Sequence, residues 1–498
     1  MVHNKQFIVS TKEFLPNKTW KSLLLPNGYY LNYQANLAIA TSEDRSIILL
    51  GDAWQVDKDA EEPVAFIRHH SAQEKGIQET IIREENSWNG RYILLVGDEI
   101  YPDAVGTLGV FYSENSFSSS LRLLCDYEHK PIAFPDNTRG VYPDFVPGPL
   151  THIDGIKRLL PSQIYNYTTH ALAHRCFWTS VSRQIPPQQI HQVLEELFRT
   201  SLHNMSTYYR HQPVWLALTG GKDSRTALAL LEKNRIPYSL YTFSFSESSA
   251  KDNESAQLLA ERVQKPHLTI ALDETKYDEM RQEEYTAHTM LMNVDADQMF
   301  YTHDMYHQLA EHAGEEFVML RNNVWETIMD YYKYYYSSPS HLIRKLRANG
   351  KYSASIDLWL KWVKEDPYNQ DISMWDRVFW ELREGCWLAS IEQSLDLVDH
   401  MTCAQICNCR KILSYLHMYP LAMREKKLHN IEFIHYIYPA CNDVPYGEAN
   451  KRTIKDIILK QIKGTVVEDC LLHMQRFKRG MGRPASDKSD GTVHNVLR

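Results

Sequence analysis

The stretch Leu218-Thr219-Gly220-Gly221-Lys222-Asp223-Ser224-Arg225 combines the groups that a polyphosphate needs. It follows the apolar run Val214 to Leu218 and opens a helical pattern over Thr226 to Leu231. Paired glycines let a chain turn tightly and bring its N–H groups against a ligand. A helix starting there adds unpaired N–H groups and the positive end of its dipole, and that combination holds phosphate. The hydroxyls of Thr219 and Ser224 can donate to phosphate oxygens. Asp223 would repel an anion unless a divalent cation lay between them. Mg2+ bridging a carboxylate and pyrophosphate oxygens removes that conflict. A strand ending in Gly-Gly and capped by Asp or Ser is also an ordinary βα turn, so the motif alone leaves both readings open.

The elements that must position this loop are legible around it. PVWLALTGGKDSRTALALLEKNRIPYSLYTFSF reads as strand, glycine turn, helix, strand, the unit of a parallel α/β sheet. Upstream, SIILLGDAW, RYILLVGDEIYP and LGVFYS are short β-branched and aromatic runs broken by Gly, Asn, Asp and Pro. The break SRQIPP, with Pro186 and Pro187, ends that texture, and QQIHQVLEELFRTSLHNM takes up helical spacing after it. The boundary falls near residues 180–190. Beyond about Glu254 the pattern is mostly helical, with short strands such as FVMLR. The last stretch, RGMGRPASDKSDGTVHNVLR, is Gly-, Ser- and Asp-rich and reads as a loop or tail.

Composition narrows the class. The chain has 498 residues, 54 Lys+Arg against 62 Asp+Glu, a net charge of -8 and 43% hydrophobic residues. These are globular values, and the length predicts two domains or one domain with a large insertion. The acidic balance, with pI near 6.3, argues against a general nucleic-acid binder. No run of about 18 apolar residues predicts a membrane span. The start MVHNKQFIVSTKEF lacks the basic and apolar regions of a secretory signal. Eight cysteines in this length predict no disulfide scaffold, so the expected location is cytoplasmic. Cys403, Cys407 and Cys409 fit no common zinc spacing and read as core cysteines.

The loop at Thr219–Ser224 resembles the PP-loop of ATP pyrophosphatases, S-G-G-x-D-S, with Thr219 keeping the first hydroxyl, and not the Walker pattern. TFSFSESSAKDNESAQLLAERV stands where the asparagine synthetase branch places its second strand and helix. WNGRYILLVGDEIYPDAVGTLGVFY resembles the core of a class II glutamine amidotransferase domain. LTHIDGIKRLLPSQIYNYTTHALAHRCFW, with Gly155, Ile156, Leu159, Pro161 and Trp178, resembles the joining segment. The chain is similar over most of its length to the asparagine synthetase-like family, which includes β-lactam synthetases and lasso-peptide cyclases.

That resemblance implies an α+β Ntn-like N-terminal domain over residues 1–182, degenerate in its amidotransferase chemistry. It implies an α/β HUP-type (PP-loop) synthetase domain over 183–498 with a helical C-terminal part. ATP and Mg2+ are the implied cofactors. Leu218, Thr219, Gly220, Gly221, Lys222, Asp223 and Ser224 would hold pyrophosphate, and Thr242, Phe243 and Ser244 would lie along the adenine, with Asp252 and Glu254 after them. The family's G-x-G-x-D-E-type turn corresponds to FVMLRNNVWETIMDYYKYYY, where Asn322 and Asn323 replace both glycines. Asn tolerates left-handed backbone better than other non-glycine residues. Asp223 and Glu326 are then the implied metal carboxylates, with Asp330 one turn beyond Glu326. By the match of Arg476-Phe477-Lys478-Arg479-Gly480-Met481-Gly482 to the family's late basic loop, Lys478 is the implied catalytic lysine. A positioned ammonium there stabilises charge during acyl transfer; a solvated basic tail is the plain alternative.

A class II glutaminase uses an N-terminal Cys as nucleophile and its α-amine as base. Here residue 2 is Val2 and the first Cys is Cys125, so glutamine hydrolysis is not expected. The expected activity is that of a carbon–nitrogen ligase. A substrate carboxylate, small-molecule or peptide, is adenylated with release of PPi and joined to an amine or ammonia, in natural-product, peptide or glycan biosynthesis. Expected partners are those substrates, with no membrane, and a homodimer or a biosynthetic partner protein stays open. Two other readings stay open. A degenerate, non-catalytic synthetase with a binding role fits the Asn322-Asn323 change. A PP-loop nucleotide- or tRNA-modifying enzyme would need a catalytic Cys pair and a basic surface. Trp359, Trp362, Trp375, Trp380, Trp387 and DYYKYYY read as packing groups, and His267 as structural.

Overall fold

The apolar runs SIILLGDAW, RYILLVGDEIYP and LGVFYS become antiparallel strands, while PVAFIRH, IQETIIREE and LRLLCDYE, which lie in the half read as strands and turns, form helices. The computed structural model describes residues 5–58, 63–131, 145–176, 185–244, 250–271, 296–347, 350–368, 372–446, 460–468 and 470. The strands of the first half are β1 (Phe7–Ser10), β2 (Trp20–Leu24), β3 (Tyr30–Gln34), β4 (Ile39–Thr41), β5 (Ile47–Gln55), β6 (Trp88–Val96), β7 (Glu99–Pro102), β8 (Val110–Tyr112), β9 (Ser116–Ser118), β10 (Lys157–Leu159), β11 (Gln163–Asn166) and β12 (Leu172–His174). One sheet runs β10-β8-β9-β1-β3-β2 and the other β12-β11-β7-β6-β5-β4. The longest pairing, β5 with β6, runs from Ile47↔Val96 to Gln55↔Trp88.

Alternation along these strands makes four layers. Val9, Leu31, Ile48, Leu50, Ile93 and Leu95 point between the sheets and form one core. Ile47, Leu49, Tyr92 and Leu94 point outward, where Ile67 of α1 (Pro63–His69) and Ile77 and Ile81 of α2 (Ile77–Glu85) cover them. Ile8 and Phe111 on the other outer face meet α3 (Leu121–Glu128) through Leu121, Leu124 and Cys125.

The second half is a mixed α/β unit on a parallel sheet. Its strands are β13 (Val214–Ala217), β14 (Ser239–Ser244), β15 (His267–Ala271), β16 (Phe317–Arg321) and β17 (Met401–Gln405), in the order β15-β14-β13-β16-β17. Both faces are covered, as parallel sheets require. On β16, Val318 and Leu320 join the core formed with α4 (Pro187–Tyr208), α5 (Lys222–Asn234) and α6 (Ala250–Arg262). Phe317 and Met319 face Met305, Tyr306 and Leu309 of α7 (Ala296–Ala313). Helices α8 (Pro339–Arg347), α9 (Gly350–Glu365) and α10 (Met374–Arg377) lead to a π-helix (Val378–Leu388) that continues as α11 (Ala389–Leu395). After β17 come α12 (Arg410–His417), α13 (Leu421–Glu425) and α14 (Leu428–Ile437). None of the described helices is long and apolar enough to cross a membrane.

β13 comes first in this sheet yet lies at its centre, with β14 on one side and β16 on the other. The chain direction of the connections reverses there, and such a switch point opens a crevice at the strands' C-terminal ends. The Gly-Gly loop leaves β13 and Asn322-Asn323 leave β16 into that crevice. β17 and the π-helix have no counterpart in the sequence pattern. MTCAQ is too short and too mixed to mark a strand, and a π-helix carries apolar spacing close to that of an α-helix.

The two halves are joined by buried polar groups. Arg91 reaches Asp396 at 2.8 Å, and Asn408 donates to Gly90 O at 2.6 Å and to Asp103 at 3.0 Å. Glu85, fully buried at the end of α2, receives Tyr92 Oη at 2.5 Å, pairs with Arg175, and lies 3.7 Å from Arg410. Burial, with Arg175 beside it, brings the Arg410 guanidinium down to about 10. Glu85→Gln leaves two buried guanidiniums facing each other, and breaking a buried pair in this way costs about 3–5 kcal/mol. We expect a lower urea midpoint for the whole chain, and a midpoint equal to wild type would contradict this account of the joint.

Candidate functional site

Leu218 is fully buried and ends the β13 run, its N–H bonded to Tyr241 O at 2.8 Å. The loop then surfaces, with Thr219 and Gly221 exposed. Thr219 Oγ1 lies 2.9 Å from Ser224 Oγ and accepts the Gly221 N–H at 3.2 Å. The two hydroxyls are thus paired across the turn. Gly221 is the N-cap of α5 and supplies no side-chain cap, so the first N–H groups of α5 face outward. Gly220 has no room for a side chain, since a Cβ there would lie 2.9 Å from Ser255 Cβ and 3.1 Å from Asp252 Oδ1. The backbone therefore approaches α6 closely, and Asp252 stands beside the loop while Glu254 is exposed. Lys222 Nζ donates to Lys426 O at 3.2 Å and stands 5.7 Å from the Tyr446 ring. Behind the loop, Arg225 is buried and locks α5 to Cys441 O and Val444 O at 3.0 and 2.6 Å.

The two carboxylates expected to act together do meet. Lys427 Nζ lies 2.9 Å from Asp223 Oδ2 and 2.5 Å from Glu326 Oε1. All three side chains keep about a fifth to a quarter of their surface open: 19% for Asp223, 28% for Lys427 and 25% for Glu326. Burial works against the Lys427 charge, but Asp223 and Glu326 outweigh it and hold the ammonium's pKa above the ordinary lysine range. Asn430 Nδ2 adds a bond to Asp223 Oδ1 at 3.1 Å. Lys427 itself stands in left-handed backbone, φ 53°, at the start of α14, which turns its side chain back toward α5.

Asn322 is buried and not left-handed. Its φ is −135°, its Nδ2 donates to Asp223 O at 2.8 Å, and its Oδ1 lies 3.3 Å from Cys407 Sγ. The side chain of Asn322 anchors the start of α5 instead of supplying glycine-like freedom. Asn323 accepts from Arg321 Nε at 3.2 Å and opens the 3-10 turn Asn323–Ile328 that carries Glu326. The left-handed residue is Asp330, φ 47°. Asp330 is buried and faces another group: its N–H bonds Asp376 Oδ1 at 2.6 Å, and its carboxylate accepts from Ser373.

Thr242 is buried, and its hydroxyl donates to Leu218 O at 2.5 Å and meets His267 Nε2 at 2.7 Å. That hydroxyl is committed within the fold, as is His267, whose Nδ1 meets Gln257 at 3.0 Å. Phe243 packs edge-on to Tyr306 at 4.8 Å, on the face away from α5. Ser244 ends β14 half-buried. Trp359, Trp375 and Trp380 are buried packing groups, and Trp387 lies flat beneath Arg383 at 3.3 Å. Cys403, Cys407 and Cys409 are buried core thiols. Lys478, with its Arg476–Gly482 loop, Val2 and Trp178 lie outside the described residues.

Sequence reasoning passed over Lys427, Asn430 and Glu384. Lys427 and Asn430 sit two hundred positions from Asp223 in an unremarkable helical stretch. Glu384 lies on the π-helix, which packs against the 3-10 turn of Glu326. It is 2% exposed, and its Oε2 is buried without a hydrogen-bond partner among the described residues. Burial raises its pKa well above the carboxylate range; Arg383 opposes this, and the charge of Glu326 adds to it.

The geometry can hold a polyphosphate and one hard cation. Carboxylate oxygens suit Mg2+, and two of them already converge on one positive centre. The described residues contain no group of three or more His, Cys, Asp or Glu side chains able to hold a metal, so phosphate oxygens or water would complete the shell.

No family model matches the sequence, and no curated protein matches it. Solved structures overlap parts of the chain, among them two synthetases. An NMN synthetase from Francisella tularensis is 17% identical over 30% of this chain and 59% of its own, with a TM-score of 0.21. A glutamine-dependent NAD+ synthetase from Acinetobacter baumannii, in complex with ADP, is 16% identical over 36% of this chain and 37% of its own, with a TM-score of 0.18. The chain covers less than two thirds of either, and overlap at this level adds nothing to the site's own geometry.

Two outcomes follow from these charges. In Lys427→Met the carboxylates of Asp223 and Glu326 face each other without their ammonium. Mg2+ at a hundredfold excess over its Kd should stabilise that variant by about 2.7 kcal/mol. The wild type, whose ammonium must first move, should gain less in the same thermal-unfolding series, and equal gains would refute a shared cation site. Asp376, pushed up to about 7 by burial and then by Asp330, has a folded pKa above its unfolded value of about 3.9. Its contribution is complete below about pH 4 and is lost as pH rises toward 7. Asp376→Asn should flatten the stability–pH curve over that window, as read by urea midpoints.

Proposed function

We propose that the chain is an ATP-dependent, amide-bond-forming synthetase that adenylates a substrate carboxylate and passes the acyl group to an amine or ammonia. The observation that carries this is the meeting of Asp223 and Glu326 on Lys427 beside an uncapped Gly-Gly helix start. A polyphosphate needs N–H donors, hydroxyls and positive charge together, and this corner of the sheet has all three.

In this reading Gly220, Gly221, Thr219 and Ser224 hold the β- and γ-phosphates of ATP, with Lys222 and Lys427 at their flank. The backbone along Thr242, Phe243 and Ser244 lies beside the adenine, because the Thr242 hydroxyl is already bonded. Asp223 and Glu326 would hold Mg2+, which neutralises polyphosphate charge when bound. A carboxylate oxygen of the substrate attacks the α-phosphorus, the bond to pyrophosphate breaks, and PPi leaves. An amine nitrogen then attacks the acyl carbon, the C–O bond to AMP breaks, and the nitrogen's proton passes to Glu384. A carboxylate with an unpartnered oxygen, on the helix that packs against the turn of Glu326, is suited to accept that proton when ionised. Lys427 offers charge to the oxyanions of both steps, and Lys478 is proposed to assist the second.

The layered N-terminal half supports reading it as an Ntn-like scaffold without glutaminase activity. Cys125, the first cysteine of the sequence, is 2% exposed in α3. Burial, with Asp126 adding to it, raises the thiol's pKa, so it is no nucleophile. The acyl acceptor is then free ammonia or an amine carried by a substrate.

ATP–pyrophosphate exchange against pools of small and peptide carboxylates tests the reading. Exchange dependent on one carboxylate is expected, and Asp223→Asn should lower it by about a hundredfold. AMP formation that depends on RNA, or a wild-type chain that binds no nucleotide, would overturn it.

A further inference from the structure

The π-helix that carries Glu384 is held by groups from the N-terminal half. π-Helical turns are rare and cluster at functional sites because they aim side chains that an α-helix would turn elsewhere. Here the aim needs outside support, and β10 supplies it. Arg158 is 1% exposed, and its guanidinium donates to Gly385 O at 3.0 Å, Cys386 O at 2.9 Å and Ser390 Oγ at 2.7 Å. These acceptors flank Glu384 on its C-terminal side. The joining segment also presses on the same turn, since a Cβ on Gly385 would lie 2.6 Å from Pro161 Cδ. Trp380, one turn earlier, donates to Ala104 O at 2.9 Å. Two carbonyls and a glycine next to Glu384 are therefore fixed by residues more than two hundred positions away.

We propose that Arg158 is a positioning residue for the amine-attack step: it clamps the Gly385 and Cys386 carbonyls and so holds the Glu384 carboxylate toward the Asp223–Glu326 pair. This rests on the reading of Glu384 as proton acceptor. It gives the N-terminal half a chemical role without any chemistry of its own. The clamp acts on the second half-reaction only. The bonds of Arg158 to Gly385, Cys386 and Ser390 fall on the π-helix and its continuation and not on the Gly-Gly loop, so the proposed effect is on acyl transfer and not on adenylation.

The two half-reactions separate the possibilities in the full-length protein. ATP–pyrophosphate exchange reads adenylation, and amide formed from the same carboxylate reads acyl transfer. Arg158→Met should lower amide formation by about a hundredfold, the usual share of a positioned proton acceptor, while exchange stays at the wild-type rate. Arg158→Lys, which keeps one donor, should recover part of the loss. Gly385→Ala should reproduce the Arg158→Met pattern, and Pro161→Ala in the same chain should restore amide formation by removing the opposing Cδ. That pair decides the matter if Arg158→Met fails to fold. Equal loss of both half-reactions, or no loss of either, overturns the inference. Glu384→Gln that forms amide at the wild-type rate overturns the proton-acceptor reading, and the inference falls with it. Glu384→Gln inactive in acyl transfer beside a normal Arg158→Met overturns the clamp alone.

Discussion

Two ionised carboxylates in one crevice repel each other unless a positive charge stands between them. Asp223 starts the helix after β13 and Glu326 lies in the turn after β16. These strands are neighbours only because the sheet begins at its centre and grows to both sides. The topology forces the like charges together, and Lys427 is what makes the arrangement tolerable. Its left-handed backbone, the bond from Asn430 to Asp223 and the bond from Asn322 to the Asp223 carbonyl all serve that meeting. The corner is built for positive charge whichever group provides it.

The polar joint between the halves follows a different logic. Arg91, Glu85, Asp103, Arg158, Asn408 and Arg410 are all buried, so each must be satisfied by a partner of suitable geometry. Asp103 accepts N–H bonds from Val105, Gly106, Thr107 and Leu108 between 2.7 and 3.2 Å, which folds that loop around its carboxylate. A hydrophobic seam would tolerate sliding, whereas directed bonds fix register and angle. These bonds fix the helices of the second half against the sheets of the first.

Much of this was legible from residue order, and the reasons are physical. A strand, two glycines and a helix are local, so the loop at 218–225 announces itself. The antiparallel strands of the first half show in runs such as RYILLVG, where β-branched and aromatic residues gather. Glu326 could be singled out because it follows FVMLR at short range. Lys427 and Glu384 could not, since Lys427 takes its meaning from contacts 101 and 204 positions away and Glu384 from the charge of Glu326 on a different element. The Asn322-Asn323 pair suggested a left-handed turn, yet Asn322 is needed as a donor to Asp223, and the unusual backbone falls at Asp330 instead. Thr242 pointed to the ligand side of β14, but its hydroxyl closes a bond to the strand beside it.

The long span of the joint's bonds has a consequence for biosynthesis. A ribosome releases the chain from its N-terminus, and Arg91 emerges 305 residues ahead of Asp396, as Asp103 does ahead of Asn408. The early half therefore waits with the Arg91 guanidinium unmatched on the face it will later bury, solvated until Asp396 has been made. Vectorial synthesis thus leaves that face the part of the nascent protein most in need of shielding.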